Sequence, residues 1–145
     1  MRATQPARLE AARIVVGLIW LAGAVFNILV TLRMPQPFQW LEASPVPLYR
    51  WFFTDIVGDH PALWTLLLVA GETALGLLTL ARGGWERLGL VGGALFSLFL
   101  VSFGTVYTLM MAPYALLLVW LTRRDTTPFP LHRQRFSPDR QAPAG

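Results

Sequence analysis

Residues 88–122 read LGLVGGALFSLFLVSFGTVYTLMMAPYALLLVWLT, a run of 35 positions without a charged side chain. As one helix this run would be about 52 Å long at about 1.5 Å per residue, which is too long for a hydrocarbon core of about 30 Å. The chain must therefore turn back within it, and Ser102-Phe-Gly-Thr105 is the natural break. We expect one membrane span over about 84–103 and another over about 105–122, with Pro113 loosening the latter.

Two more apolar stretches of bilayer length precede this run. Residues 14–32 are uncharged, and residues 61–81 begin at a proline suited to a helix N-terminus and contain one acid, Glu72. The overall composition agrees, since 54% of the 145 residues are hydrophobic and 14% are charged. The sequence predicts an all-α fold, an integral membrane four-helix bundle.

The arginines predict the orientation of the bundle, because positive charge in short flanking segments stays on the cytoplasmic side. If both termini share one side, that side carries ten of the twelve basic residues, and the other side carries Arg33 and Arg50. We therefore expect an inner-membrane protein whose N-terminal segment 1–13 and C-terminal tail 123–145 are cytoplasmic. The tail is rich in Pro, Arg and Gln and is predicted to be disordered. A signal peptide ending near Ala22-Gly23-Ala24 is the alternative for the first span.

The segment 33–60 would be exoplasmic. It carries six aromatic residues, and Ser44 followed by Pro45 resembles an N-cap and a first helical position. We expect a short interfacial helix between the first two spans. Its aromatic side chains would either anchor the segment and pack over the mouth of the bundle, or form a lid over a lateral or outward-facing pocket.

Glu72 lies near the middle of the second predicted span, where an ionisable side chain is costly and normally faces the bundle interior with a partner. Counted along the helices, three polar residues of the other spans lie at similar depth and are expected to meet it. These are Asn27, Ser97 and Tyr114. The cluster would either bind a proton, a quinone-like headgroup or another small polar ligand, or hold the helices together through hydrogen bonds.

Arg13 begins the first span and would either extend to the membrane surface or turn inward to pair with Glu72 or with an anionic ligand. Two pairs of small residues, each four apart, indicate close helix contacts. They are Ala70 with Ala74, and Gly89 with Gly93.

The residue types limit the chemistry that the chain can perform. The chain has no cysteine, and both histidines, His60 and His132, lie outside the predicted spans. Thiolate metal sites and a membrane haem with paired histidines are therefore excluded for this chain alone. No phosphate loop, dinucleotide fingerprint, nucleophile–base pattern or nucleic-acid module is present, so we expect no intrinsic catalysis and no bound metal.

The pattern resembles the DoxX-like family of small four-helix membrane proteins, which is sometimes grouped with the DoxD subunit of thiosulfate:quinone oxidoreductase. The resemblance rests on Ala12-Arg13-Ile-Val-Val-Gly17-Leu-Ile-Trp-Leu-Ala-Gly23, on Gly71-Glu72-Thr-Ala-Leu-Gly76-Leu-Leu and on the Arg82-Gly-Gly that follows. It covers roughly residues 10–122. It implies an accessory membrane component of a quinone-linked, sulfur or oxidative-stress redox system, with Glu72 and Arg13 as candidate functional residues.

The leading functional hypothesis is therefore an accessory protein that supports a membrane redox partner and presents a pocket around Glu72, with quinone as the one cofactor considered. A small-solute or proton carrier acting as a homo-oligomer is the first alternative. A purely structural subunit of a membrane complex is the second.

Overall fold

The computed structural model describes residues 7–34, 38–82 and 84–124, and every regular element in them is helical. The predicted disordered tail, apart from 123–124, and residues 1–6 of the N-terminal segment lie outside the described residues. The all-α prediction is confirmed for the described part of the chain. Six α-helices follow one another, namely α1 (Ala7–Arg33), α2 (Pro47–Trp51), α3 (Pro61–Leu80), α4 (Trp85–Val101), α5 (Val106–Leu109) and α6 (Ala112–Arg124).

Two helices, α1 and α3, are long and apolar enough to cross a membrane. They correspond to the first two predicted spans, although α1 begins at Ala7 because the charged residues Arg8 and Glu10 also favour a helix. The third predicted span contains α4, which has 17 residues. The fourth predicted span is not one helix, since α5 ends at Leu109 and α6 begins at Ala112. Pro113 explains the interruption, because a proline lacks the N–H that would continue the helix through it.

The predicted short helix between α1 and α3 is present, but its predicted start is wrong by two residues. Val46 is the N-cap of α2, and Pro47 occupies the first helical position. Ser44 is held elsewhere, because its hydroxyl donates to the carbonyl of Phe103 at 2.6 Å. A π-helical turn, Phe52–Val57, continues α2.

The helices pack in chain order, with α1 against α3, α3 against α4 and α4 against α6. One apolar core is formed by buried residues of α1, α4 and α6, namely Val16, Trp20, Leu90, Ala94, Leu118 and Leu121. A second core joins the segment before α3 to the end of α4, through Leu41, Phe53, Val57 and Phe103. The aromatic segment therefore packs over one end of the helices.

The outward-facing surface of α1 and α3 is apolar. Only 22% of the most apolar window of each helix is buried inside the structure. Large side chains such as Phe26, which is 64% exposed, and Leu32 point away from the core. A core helix of a soluble protein would bury most of such a window, so this surface suits contact with lipid.

Glycine permits the closest approach between α3 and α4. A β-carbon at Gly89 would overlap the amide nitrogen of Thr79 and would lie 2.6 Å from its hydroxyl oxygen. At Gly93 a β-carbon would lie 3.1 Å from the indole nitrogen of Trp20. The predicted close contacts of Gly89 and Gly93 are therefore present. Ala70 and Ala74 are exposed, so within this chain they do not form the helix contact that their spacing predicts.

The Gly89→Ala substitution is expected to lower the free energy of unfolding by about 1–3 kcal/mol, because the added methyl group forces α3 and α4 apart. Gly71→Ala is the matched control, since a β-carbon at Gly71 meets nothing within 4 Å. Unfolding followed by circular dichroism in mixed micelles measures both variants. Equal stability of the two variants would contradict the close α3–α4 contact.

Candidate functional site

The α1–α3 interface brings Asn27 and Glu72 together. The two helices run antiparallel, so that Gly17 meets Gly76 near one end and Thr31 meets Thr65 near the other. Between these contacts the Asn27 amide donates from Nδ2 to Glu72 Oε2 at 2.8 Å. Glu72 is 8% exposed. The structure thus places two of the predicted site residues in direct contact, as expected from their depth.

The partner of the Glu72 carboxyl group is an amide rather than a cation. An asparagine side chain donates through its N–H groups and accepts through Oδ1, so it can hydrogen-bond a carboxylate or a carboxylic acid. Beside the carboxyl group lies Gly23, where a β-carbon would be 3.4 Å from Glu72 Oε1. The glycine leaves room for a small group next to that oxygen, and alanine at this position would fill the space at ordinary contact distance.

Two threonines extend the polar contacts from this pair toward the N-terminal end of α3. The hydroxyl oxygens of Thr31 and Thr65 are 2.9 Å apart. The Thr31 hydroxyl also lies 2.9 Å from the carbonyl oxygen of Asn27. Sequence reasoning missed both threonines, although the signal was present. Thr31 is four residues after Asn27 and Thr65 is seven before Glu72, spacings that keep each on the same helix face as its polar neighbour.

Arg13 lies at the opposite end of the α1–α3 interface, where it is buried and does not pair with Glu72. It is 9% exposed, and its Nη1 donates to the carbonyl oxygen of Ala81 at 2.7 Å. Glu10 Oε1 lies 3.9 Å from its Nη2. A cation at this position is favoured because the last carbonyl groups of α3 carry the negative end of the helix dipole. Arg13 therefore joins the start of α1 to the end of α3.

Ser97 is buried and Tyr114 is half-buried, and neither is hydrogen-bonded to Glu72 or to Asn27. Ser97 is fully buried, and within the described residues neither its hydroxyl nor that of Tyr114 has a hydrogen-bond partner. The Tyr114 ring instead packs edge-on against Trp20, with 5.7 Å between the ring centroids. The indole N–H of Trp20 also lacks a hydrogen-bond partner among the described residues. The expected hydrogen-bonded meeting of all four polar residues is therefore not formed, and Trp20 is a buried polar residue that sequence reasoning missed.

No group of three or more His, Cys, Asp or Glu side chains within the described residues is arranged to hold a metal ion. The chemistry that the site offers is hydrogen bonding and proton exchange. Its donors and acceptors are the Glu72 carboxyl group, the Asn27 amide and the two threonine hydroxyls.

We expect Asn27→Leu to lower the free energy of unfolding by about 1 kcal/mol, the usual size of an interhelical hydrogen bond in a membrane protein. A double-mutant cycle with Glu72→Leu should assign most of this loss to the Asn27–Glu72 contact. Tyr114→Phe is the control and should leave stability unchanged, because the phenol has no hydrogen-bond partner among the described residues. If Tyr114→Phe destabilises as much as Asn27→Leu, the separation into two clusters is incorrect.

Comparisons with protein-family models, with curated proteins and with solved structures find no match to this chain. The resemblance to the DoxX-like family therefore stays a prediction that rests on the residues quoted for it. The arguments for a function come from the geometry of the α1–α3 interface.

Proposed function

We propose that the protein is an integral membrane four-helix bundle with cytoplasmic termini. The apolar outer surface of α1 and α3 supports this placement, as does the separation of ten arginines from two along the chain. The helices α4 and α6 have 17 and 13 residues. Helices this short are accommodated in a bilayer by packing against longer neighbours and by local thinning.

Within that bundle, we propose that the Asn27–Glu72 pair binds a small polar ligand and that the protein acts as an accessory subunit of a quinone-linked or other membrane redox system. The observation that carries this proposal is a carboxyl group buried at mid-helix beside an amide, with no cation in contact with it among the described residues. An ionisable group in such a position is costly, and membrane proteins retain such groups mainly where they function. The resemblance to DoxX-like proteins supports the redox role.

The hydrogen-bonding groups around Glu72 support a quinone as the ligand. A quinone presents carbonyl oxygens that accept hydrogen bonds, and the Asn27 amide has a second N–H besides the one given to Glu72. The absence of a side chain at Gly23 leaves space next to Glu72 Oε1. A bound quinone would supply reversible two-electron chemistry. The chain itself would orient the headgroup through Asn27 and exchange a proton at the Glu72 carboxyl group.

The first test is recovery of the tagged protein from membranes in nanodiscs, followed by mass spectrometry and an optical spectrum. A partner that carries flavin or haem is expected to copurify, because the described part of this chain has no residues arranged to hold a redox metal. A colourless homo-oligomer would contradict the accessory role and would favour the carrier hypothesis.

The second test measures binding of a short-chain ubiquinone analogue to the purified protein. Glu72→Leu is expected to weaken binding at least about tenfold, the effect of losing about one good hydrogen bond. Gly23→Ala is expected to weaken binding as well, because its methyl group occupies the space beside Glu72 Oε1. Gly23→Ala should remain folded, since the added methyl group lies at ordinary contact distance from Glu72 and alanine favours a helix. Gly71→Ala is the control, because it adds the same methyl group at a position where a β-carbon meets nothing within 4 Å. Undiminished binding by Gly23→Ala would exclude the space beside Glu72 as the ligand site.

A further inference from the structure

A line of polar groups leads from the Asn27–Glu72 pair to the N-terminal end of α3. Thr31 follows Asn27 by one turn of α1 and contacts Thr65 across the interface. The Thr65 hydroxyl lies within hydrogen-bond distance, 2.9 Å, of the carbonyl oxygen of Pro61. We call the side chains of Asn27, Thr31 and Thr65, together with the Pro61 carbonyl, the polar lane. The polar lane occupies the half of the α1–α3 interface that lies between Glu72 and the N-terminal end of α3.

The polar lane ends beside a surface pocket of about 240 Å³, which Pro61 helps to line. Two acidic residues, Glu42 and Asp59, line the pocket together with Gln39 and Thr54. Carboxylates at the entrance of a cavity raise the local concentration of cations, including hydronium. The pocket thus provides an acidic aqueous entrance at the end of the lane that is farthest from Glu72.

The other half of the α1–α3 interface is closed by tight apolar packing. A β-carbon at Gly76 would lie 2.8 Å from the Leu21 side chain and 3.1 Å from the Gly17 carbonyl oxygen. The Leu80 side chain fills the space at Gly17, where a β-carbon would lie 2.6 Å from its Cγ. No polar side chain of α1 lies between Arg13 and Asn27 except Trp20, which packs into the core with α4 and α6. On α3 the Thr79 hydroxyl lies against Gly89 of α4 and lacks a hydrogen-bond partner, so the described residues form no hydrogen-bonded route to Glu72 from that end.

Among the described residues, no other titratable group of α1 or α4 lies near the depth of Glu72. The residues of α1 between Arg13 and Arg33 are uncharged, and so are those of α4 from Leu88 to Val101. Tyr114 on α6 is the remaining titratable group near this depth, and its ring packs against Trp20 in the separate cluster. Access of a proton to Glu72 therefore depends on the difference between the polar half and the apolar half of the α1–α3 interface.

We propose that Glu72 exchanges its proton with the aqueous phase at the N-terminal end of α3, through the polar lane, and not with the phase at the other end. A hydronium ion in the acidic pocket gives its proton, through water beside the Pro61 carbonyl, to the Thr65 hydroxyl and leaves as water. The Thr65 and Thr31 hydroxyls each accept a proton and release another, and water between Thr31 and the carboxylate completes the transfer to Glu72. The Asn27 amide then turns so that Oδ1 accepts from the new carboxylic acid. Release reverses these steps.

This inference rests on the proposed placement of the bundle in a membrane and on Glu72 as its functional group. It adds the direction of proton access, which the proposed function leaves open. A ligand bound at Glu72 would then exchange protons with the aqueous phase that contacts Glu42 and Asp59, on the side of the membrane opposite the termini.

The test uses the full-length protein reconstituted in vesicles with one orientation, verified by protease access to the tail. The infrared carbonyl band of the protonated Glu72 side chain, identified by its loss in Glu72→Gln, reports protonation. The pH is changed on one face of the membrane at a time. A change at the face of the acidic pocket should protonate Glu72 rapidly, and the same change at the other face should produce no rapid response.

Substitutions in the lane test the route. Thr65→Val and Thr31→Val keep the side-chain shape but remove the hydroxyl. Each substitution should slow the protonation of Glu72 about tenfold, because the loss of roughly one hydrogen bond changes a rate by about that factor. Thr79→Val is the matched control with an unchanged rate. Thr79 and Thr65 are both buried, and each lies seven residues from Glu72 on α3, in opposite directions. Thr65→Ser, which restores a hydroxyl, should restore the rate even where Thr65→Val perturbs folding.

Equal responses of Glu72 to pH changes at the two faces would overturn the proposal. So would a protonation rate in Thr79→Val as slow as that in Thr65→Val. Unchanged protonation rates in both Thr65→Val and Thr31→Val would also overturn it. The accessory role is tested separately, by whether a redox partner copurifies with the tagged protein in nanodiscs. Thr65→Val leaves Glu72 in place, so the partner should still copurify with it. If protons reach Glu72 from one face only but no partner copurifies, the accessory role is contradicted while the proposed direction of proton access is still supported.

Discussion

The hydrogen bond from Asn27 to Glu72 is the contact on which the arrangement of α1 and α3 depends. A carboxyl group buried among apolar residues needs a hydrogen-bond partner, and the residue that can provide one from α1 is Asn27. Sliding α1 along α3 by one turn would remove that partner. It would also place side chains where Gly17 and Gly76 now allow the backbones to approach. Polar pairing and close packing therefore select the same register of the two helices.

The α1–α3 interface differs in polarity on the two sides of Glu72, and this difference determines the end from which a proton reaches the carboxyl group. On one side of Glu72, glycines and leucines exclude water, and Arg13 binds the last turn of α3 through the Ala81 carbonyl. On the other side, Thr31 and Thr65 keep hydroxyl groups in the interface, and the segment that precedes α3 forms a pocket with carboxylates beside it. That segment is fixed in place, because Ser44 bonds the Phe103 carbonyl. A buried acid between a closed half and a polar half is connected to one aqueous phase only.

Sequence reasoning predicted the helical class, the two longest helices and the contact of Asn27 with Glu72, because apolar length and depth along a helix are local properties of the sequence. It predicted that Pro113 loosens the last span, but not that the span is divided between Leu109 and Ala112, nor that α2 begins at Pro47. The latter depends on the hydrogen bond between Ser44 and Phe103, two residues far apart in sequence. Depth alone also grouped Tyr114 with Glu72, since equal depth does not specify which face of a helix meets which neighbour.

The separation of the two polar clusters bears on where a function can lie. The hydroxyl groups of Ser97 and Tyr114 lack hydrogen-bond partners among the described residues, and Tyr114 packs against the core of α1, α4 and α6. That core has no polar connection to the ends of the helices comparable to the lane. The Asn27–Glu72 pair has a titratable group, and the Thr31 and Thr65 hydroxyls continue the polar contacts of the interface toward the N-terminal end of α3. Proton exchange requires the two together, so the α1–α3 interface, rather than the core with α6, is the part of the described structure that is built for it.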